Sequence, residues 1–261
     1  MRILHLGDVV GRAGRQLLVE RLGGLRRDLG ADVVVVNGEN AAGGFGITAK
    51  LCRELYDAGT DVVTTGNHVW DQRELIGYID GDPRLIRPAN LAAGTPGRGF
   101  TAVETARGGR VLVVQVLGRI HMKPCDSPFR VVDDVLQRYP LNARLGVVVD
   151  VHAEITAEKQ ALGHHLDGRA TLVAGTHTHC PTADERVLPG GTAYVTDLGM
   201  CGDYDTVIGM DKAGSVERFT SDLPGPRLEP GPGPAELWGV LVETAPESGL
   251  ARSIERVRVT A

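Results

Sequence analysis

Positive charge is in short supply in this chain. Its 28 Lys and Arg stand against 33 Asp and Glu, a formal net charge of −5 at pH 7, and no long basic run relieves the deficit. Such a chain has no electrostatic means of wrapping DNA or of lying on an anionic membrane surface. A small anionic substrate remains compatible with this charge, because a bound metal can supply local positive charge. Aromatic residues are scarce too, at 4%. With so few stacking platforms, a small nucleotide suits the chain better than a long RNA strand. Apolar runs are short. The one in "MRILHLGDVVGRAGRQ" is cut off by Asp8, and no later run is long enough to span a bilayer. The four cysteines, Cys52, Cys125, Cys180 and Cys201, are scattered and form no C-x-x-C pair. Free thiols in a reducing cytoplasm are therefore expected, with no leader and no membrane. A homo-oligomer is compatible with all of this.

What is present is a soluble globular balance, 42% apolar and 23% charged over 261 residues, enough for a substantial core. The first third alternates between two periods. "RILHLGD" is a short apolar run, and "GRQLLVERLGGLRRDLG" carries leucines at helical spacing. "ADVVVVNGEN" predicts a strand buried on both faces. "ITAKLCRELYDAG" predicts a helix with Thr48 as N-cap and Gly59 just past its end. "DVVTTGNH" predicts another strand, completing a βαβ pattern with a parallel sheet. After residue 99 strands become denser. A hairpin is expected across Arg107-Gly108-Gly109, then helix "PFRVVDDVLQRY", strand "LGVVVDVHAE", helix "ITAEKQALGHHLDG" and strand "ATLVAGTHTH". "GTAYVTDLG", "ELWGVLVETA" and "LARSIERVRVT" alternate like antiparallel strands, and "LPGPRLEPGPGP" predicts a surface loop. No repeat or boundary divides residues 1–261. The expectation is a single α/β domain with two packed sheets and helices outside.

The polar residues at the ends of these runs share a pattern. The predicted strands end in Gly7-Asp8, Asn37-Gly38-Glu39-Asn40, Gly66-Asn67-His68, Asp150-Val151-His152 and Gly175-Thr176-His177-Thr178-His179. The carboxyl ends of parallel strands are where open α/β sheets bind ligands, so these side chains should converge on one cleft. Imidazole, carboxylate and carboxamide without thiolate suit manganese, iron or zinc. In an extended segment residues i and i+2 point the same way, about 6.6 to 7 Å apart. His177 and His179 would then hold one ion together, or one each of two ions roughly 3.5 to 4 Å apart, as a phosphoryl displacement requires. Singly, each residue has an ordinary explanation. Asp8 serves as a cap or turn residue, Asn40 and Asn67 as turn residues, and His152 beside Glu154 as a hydrogen-bonded histidine. An accident would have to repeat at five strand ends, which favours a metal site.

At these residues the chain resembles the calcineurin-like metallophosphoesterases, and more closely their bacterial YmdB-type branch of cyclic-nucleotide phosphodiesterases. The likeness runs from "ILHLGDVVGRAGR" through "VVVNGENAAGGFGIT", "TTGNHVWD" and "VDVHAE" to "AGTHTHCPTAD". It implies two mixed sheets packed face to face with helices on both outer sides, a four-layer α/β/β/α sandwich. It also implies two metal ions. Asp8, Glu39, Asn40 and His179 would hold one; Glu39 would bridge to the other, completed by Asn67, His152 and His177. His68 would be the general acid. Two features depart from the wider superfamily. Val9-Val10 follows Asp8 where Asp-x-His is usual, and Glu39 stands where the bridge is usually Asp. By the resemblance to the nearer branch, Asn40 would take the vacant position, and the weaker carbonyl donor would favour iron or manganese over zinc.

The expected activity is hydrolysis of small 2′,3′- or 3′,5′-cyclic mononucleotides. A hydroxide bridging the ions would attack phosphorus in line, and His68 would protonate the leaving alkoxide. His68 as a residue that merely orients a ligand is the alternative role. Arg119, His121 and Lys123 in "GRIHMKPCDSPF", Arg12, and the "AAGGFG" turn are candidates to meet phosphate or base. Two other functions stay open: a phosphomonoesterase (nucleotidase or protein phosphatase) on the same metals, or a nucleotide sensor with little turnover.

Overall fold

A computed structural model describes residues 1–261. Its first half follows the βαβ expectation. β1 (Arg2–Val10) leads into α1 (Gly11–Leu29), β2 (Val33–Asn40), α2 (Ala49–Ala58) and β3 (Val62–Thr64). Thr48 caps α2 by accepting from the Leu51 amide at 3.2 Å, and Gly59 ends it at φ 116°. α3 (Leu75–Tyr78) is a short turn of helix. The hairpin of β4 (Phe100–Glu104) and β5 (Arg110–Leu117) is followed by α4 (Pro128–Arg138) and β6 (Leu145–His152). Then come α5 (Thr156–His165), β7 (Leu172–Thr176), β8 (Arg186–Val187), β9 (Ala193–Val195) and β10 (Met200–Asp203). α6 (Lys212–Thr220) precedes the long β11 (Ala235–Thr244) and β12 (Ala251–Thr260).

The strands form two mixed six-stranded sheets, ordered β12-β11-β10-β1-β2-β3 and β4-β5-β6-β7-β9-β8. Strand alternation decides how they stack. Ile3, Val33 and Val35 of the first sheet meet Val113, Val148 and Leu172 of the second in an apolar layer between the sheets. The opposite faces bury Leu18, Leu22 and Leu55 of α1 and α2 on one side, and Val132, Leu136 and Leu162 of α4 and α5 on the other. The outcome is the four-layer sandwich. No helix is long and apolar enough to cross a membrane.

Four local expectations are corrected. β1 runs past Asp8 to Val10, with irregular register against β2 around Asp8 that releases the strand from strict alternation. β7 stops at Thr176, so the histidine pair is not in extended chain: His177 has φ 97° and His179 φ 63°. The i, i+2 argument for their common direction therefore does not apply. The "GTAYVTDLG" strand, β9, pairs in parallel with β7 and antiparallel only with the two-residue β8. Finally, β10 and α6, invisible to periodicity, fill the segment before the Pro- and Gly-rich loop.

Candidate metal centre

The carboxyl ends of both sheets open on one seam. The first sheet brings Asp8, Glu39, Asn40 and the Asn67-His68 loop; the second brings His152 and the loop holding His177 and His179. The contacts centre on His152 Nε2. It lies 2.9 Å from Glu39 Oε1, 2.9 Å from Asn67 Oδ1 and 3.1 Å from His177 Nδ1. One ring nitrogen cannot serve three partners with one proton. Ligands bound at about 2.1 Å and at right angles around one cation stand roughly 3 Å apart, which is the spacing found. Glu39, His152 and His177 form a group able to hold an ion.

Asp8 adjoins this nest. Its Oδ2 accepts from the His177 amide at 3.2 Å, while Oδ1 has no partner despite full burial. His152 Nδ1 and His179 Nε2 stand 3.8 and 4.0 Å from that oxygen. Asn40 donates to the Gly44 carbonyl at 2.9 Å, leaving its own Oδ1 buried and unpaired. Buried oxygens without donors are costly, and a cation removes the cost. Seven of the eight residues singled out in the sequence thus face or adjoin the seam with a donor atom. His68 differs: its amide donates to Glu39 Oε2 at 3.2 Å, but its ring lies edge-on to Phe45 at 5.3 Å and pairs with Asp71 instead of the nest.

Each imidazole has its free nitrogen selected by a hydrogen bond at the other, which fixes the tautomer a metal would meet. His152 Nδ1 meets Thr176 Oγ1 at 2.9 Å, and Thr176 donates to Asp150 Oδ1 at 2.7 Å. The hydroxyl has one proton, so His152 Nδ1–H must be the donor and Nε2 faces the seam. His179 Nδ1 donates to the Ile208 carbonyl at 2.8 Å, freeing Nε2. His177 Nε2 pairs with Glu154 at 3.1 Å, freeing Nδ1. His68 Nδ1 meets Asp71 Oδ2 at 2.7 Å, freeing its Nε2. Sequence reading missed Thr176, Asp150, Asp71 and Ile208 in these roles. Only two left a signal: an aspartate inside the all-valine run "VVVDVH", and a carboxylate three residues after His68.

Charge is concentrated here. Burial pushes Asp8 well above the usual carboxylate range, against the pull of His152 and helped by Glu39, Asp197 and Asp150. Burial also works against ionised Glu39, yet His152, by charge and hydrogen bond, holds it down to about 2. Burial opposes the charged form of His152 as well, but Glu39 and Asp8 raise it to about 9. Burial and the His152 charge push His177 down to about 3, and burial lowers His179. At pH 7 the metal-free nest therefore holds a proton on His152 that a cation must displace. Metal uptake should release the His152 proton, and affinity should climb as pH rises toward about 9. Calorimetry in buffers of different ionisation enthalpy reads the release; uptake without it would contradict this account.

The other sequence candidates fall unevenly. Lys123 Nζ donates to the Asn67 carbonyl at 3.3 Å, at the mouth of the seam. The Arg119 amide is held by Glu158 at 2.9 Å, and its side chain lines an open surface hollow with Ile120 and Phe129. His121 is exposed at φ 59°. Arg12 lines a cavity of about 630 Å³ with Gln16, Gly43, Arg227 and Pro230.

A sandwich of this layer order, with a nest of nitrogen and oxygen donors where both sheets expose their carboxyl ends, has the architecture of the metallophosphoesterases. Fold and site assign the chain to that class. Within it, the family model for YmdB-like proteins matches residues 4–257, and the chain belongs to that family. It is 43% identical to the 2′,3′-cyclic-nucleotide 2′-phosphodiesterase of Bacillus subtilis, over 99% of this chain and 97% of that protein. A crystal structure of a hypothetical protein from Thermus thermophilus superposes with TM-score 0.92 at 40% identity, covering 100% of this chain and 99% of the other. A structure described as a novel phosphatase of Mycoplasma pneumoniae superposes with TM-score 0.92 at 32% identity, covering 100% and 93%.

Proposed function

We propose that the chain is a binuclear metal-dependent phosphodiesterase of small cyclic nucleotides, with 2′,3′-cyclic mononucleotides as its first substrates and 3′,5′-cyclic ones as further candidates. The observation that carries this is the crowding of Glu39, Asn67 and His177 around His152 Nε2 beside two unpaired buried oxygens, on Asp8 and Asn40. The substrate class follows the activity named for the Bacillus subtilis relative. Asp8, Glu39, Asn40 and His179 would hold one ion; Glu39, Asn67, His152 and His177 the other. Iron or manganese suits this oxygen-rich set better than zinc. Because the donors come from both sheets, residues 1–261 act as one metallophosphoesterase domain. Four unpaired cysteines suit a reducing cytoplasm.

When bound, the ions supply the charge that activates a water and neutralises the phosphate. The remaining work falls to side chains. Lys123 at the mouth donates to a non-bridging oxygen. The water's oxygen bonds to phosphorus as the bond from phosphorus to O2′ breaks, leaving a 3′-monophosphate. His68, acting in its imidazolium form with Nδ1–H donating to Asp71, gives its Nε2 proton to O2′, and the proton that the attacking water sheds restores it through solvent.

Manganese-loaded protein assayed against 2′,3′-cyclic, 3′,5′-cyclic and linear phosphate esters tests the proposal. Ring opening of the 2′,3′-cyclic substrate to the 3′-monophosphate should be fastest, with kcat/KM at least about tenfold above any linear monoester. Faster hydrolysis of the monoesters would make the chain a phosphomonoesterase.

A further inference from the structure

Next to the donor nest lies a recess of about 380 Å³, lined among others by His179, Pro181, Met200, Tyr204, Ile208 and Trp238. We infer that it receives the nucleobase of the substrate through stacking, an assignment that rests on the cyclic-nucleotide function proposed above. Position is the first reason. In a 2′,3′-cyclic nucleotide the base and a phosphate-bearing oxygen sit on adjacent ribose carbons, so a base site must directly adjoin the phosphate site. His179 belongs to both. The larger Arg12 cavity includes none of the donor residues in its lining.

Composition is the second reason. A chain with two tryptophans and five tyrosines places one of each here, ring centroids 5.8 Å apart. Their polar atoms are already engaged. Trp238 Nε1–H donates to Glu236 at 2.7 Å, and Arg258 grips the same carboxylate at 2.6 and 2.8 Å while lying 5.2 Å from the indole centroid. Tyr204 donates to the Met200 carbonyl at 3.1 Å and accepts from its amide at 2.9 Å. Rings fixed in this way present apolar faces. They read the π-face that every base shares, and purines and pyrimidines should both be accepted.

Ile208 supplies the third. It is β-branched yet held at φ 47°, and the residue is 53% exposed and lines the recess. Its carbonyl fixes His179. One strained residue thus orients a donor of the nest and extends the apolar lining beside it, the kind of strain kept at functional sites.

Calorimetric binding of adenosine 3′-monophosphate and of inorganic phosphate to manganese-loaded protein tests the inference. The nucleotide should bind about 5- to 150-fold more tightly than phosphate. Trp238→Ala should remove most of that ratio, Trp238→Phe should keep it, and phosphate affinity should not move. A ratio unchanged in Trp238→Ala, or near one in the wild type, overturns the assignment. If Trp238→Ala does not fold, Ile208→Ala decides by the same ratio, which should fall severalfold. Turnover of the cyclic substrate, measured on the same preparations, separates the two claims. Nucleotide preference without turnover would refute the activity and leave the recess; turnover without preference would do the reverse.

Discussion

Gly66→Ala should strip the protein of bound metal and lower kcat/KM by at least about a hundredfold while leaving it folded. A Cβ at this position would sit 2.5 Å from His152 Nε2 and closer still to Glu39 Oε2. Neither neighbour has room to yield. Glu39 accepts from the His68 amide with that same oxygen, and His152 is pinned by Thr176. The new methyl therefore drives the carboxylate out of the nest, and a displacement of 1 Å in a catalytic array already costs about a hundredfold. Overpacking of this kind destabilises by about 1–3 kcal/mol, which a domain of this size survives. Gly77→Ala, where a Cβ meets nothing within 4 Å, serves as the control. Metal content by elemental analysis and far-UV circular dichroism decide the matter: a Gly66→Ala protein with wild-type occupancy would refute the proposed role of Glu39 and His152.

His68→Ala should lower kcat on 2′,3′-cyclic substrates by about 10²- to 10⁴-fold with metal content intact. His68 meets the nest only through its backbone amide, so its ring can be removed without removing a ligand. The loss should shrink to a few fold on a p-nitrophenyl diester, whose leaving group needs no proton. Asp71→Asn weakens the hydrogen bond that holds the ring and should cost about tenfold on the cyclic substrate alone. Equal losses on both substrates would show that His68 orients a ligand instead of donating a proton.

The fold was largely legible because its signals are local. Four consecutive valines announced β2, Thr48 and Gly59 bounded α2, and Gly108 turned the hairpin. That these side chains would meet was legible as well, since parallel strands deliver their end residues to one rim. Its geometry was not. The register break around Asp8 and the left-handed conformations of His177 and His179 arise from tertiary packing, which leaves no periodic trace. Asp150 and Thr176 act together across 26 residues, and His179 and Ile208 across 29. Such pairs are recognised only after the chain has folded. The low aromatic content was a true observation with an incomplete consequence, because two of those few rings share one wall.

Donors drawn from two sheets bear on more than catalysis. Cations seated between them would rivet the halves of the sandwich, since ions that favour the native state stabilise it in proportion to the logarithm of their free concentration. Metal starvation would then cost the cell twice, first in turnover and then in the fraction of chains that stay folded.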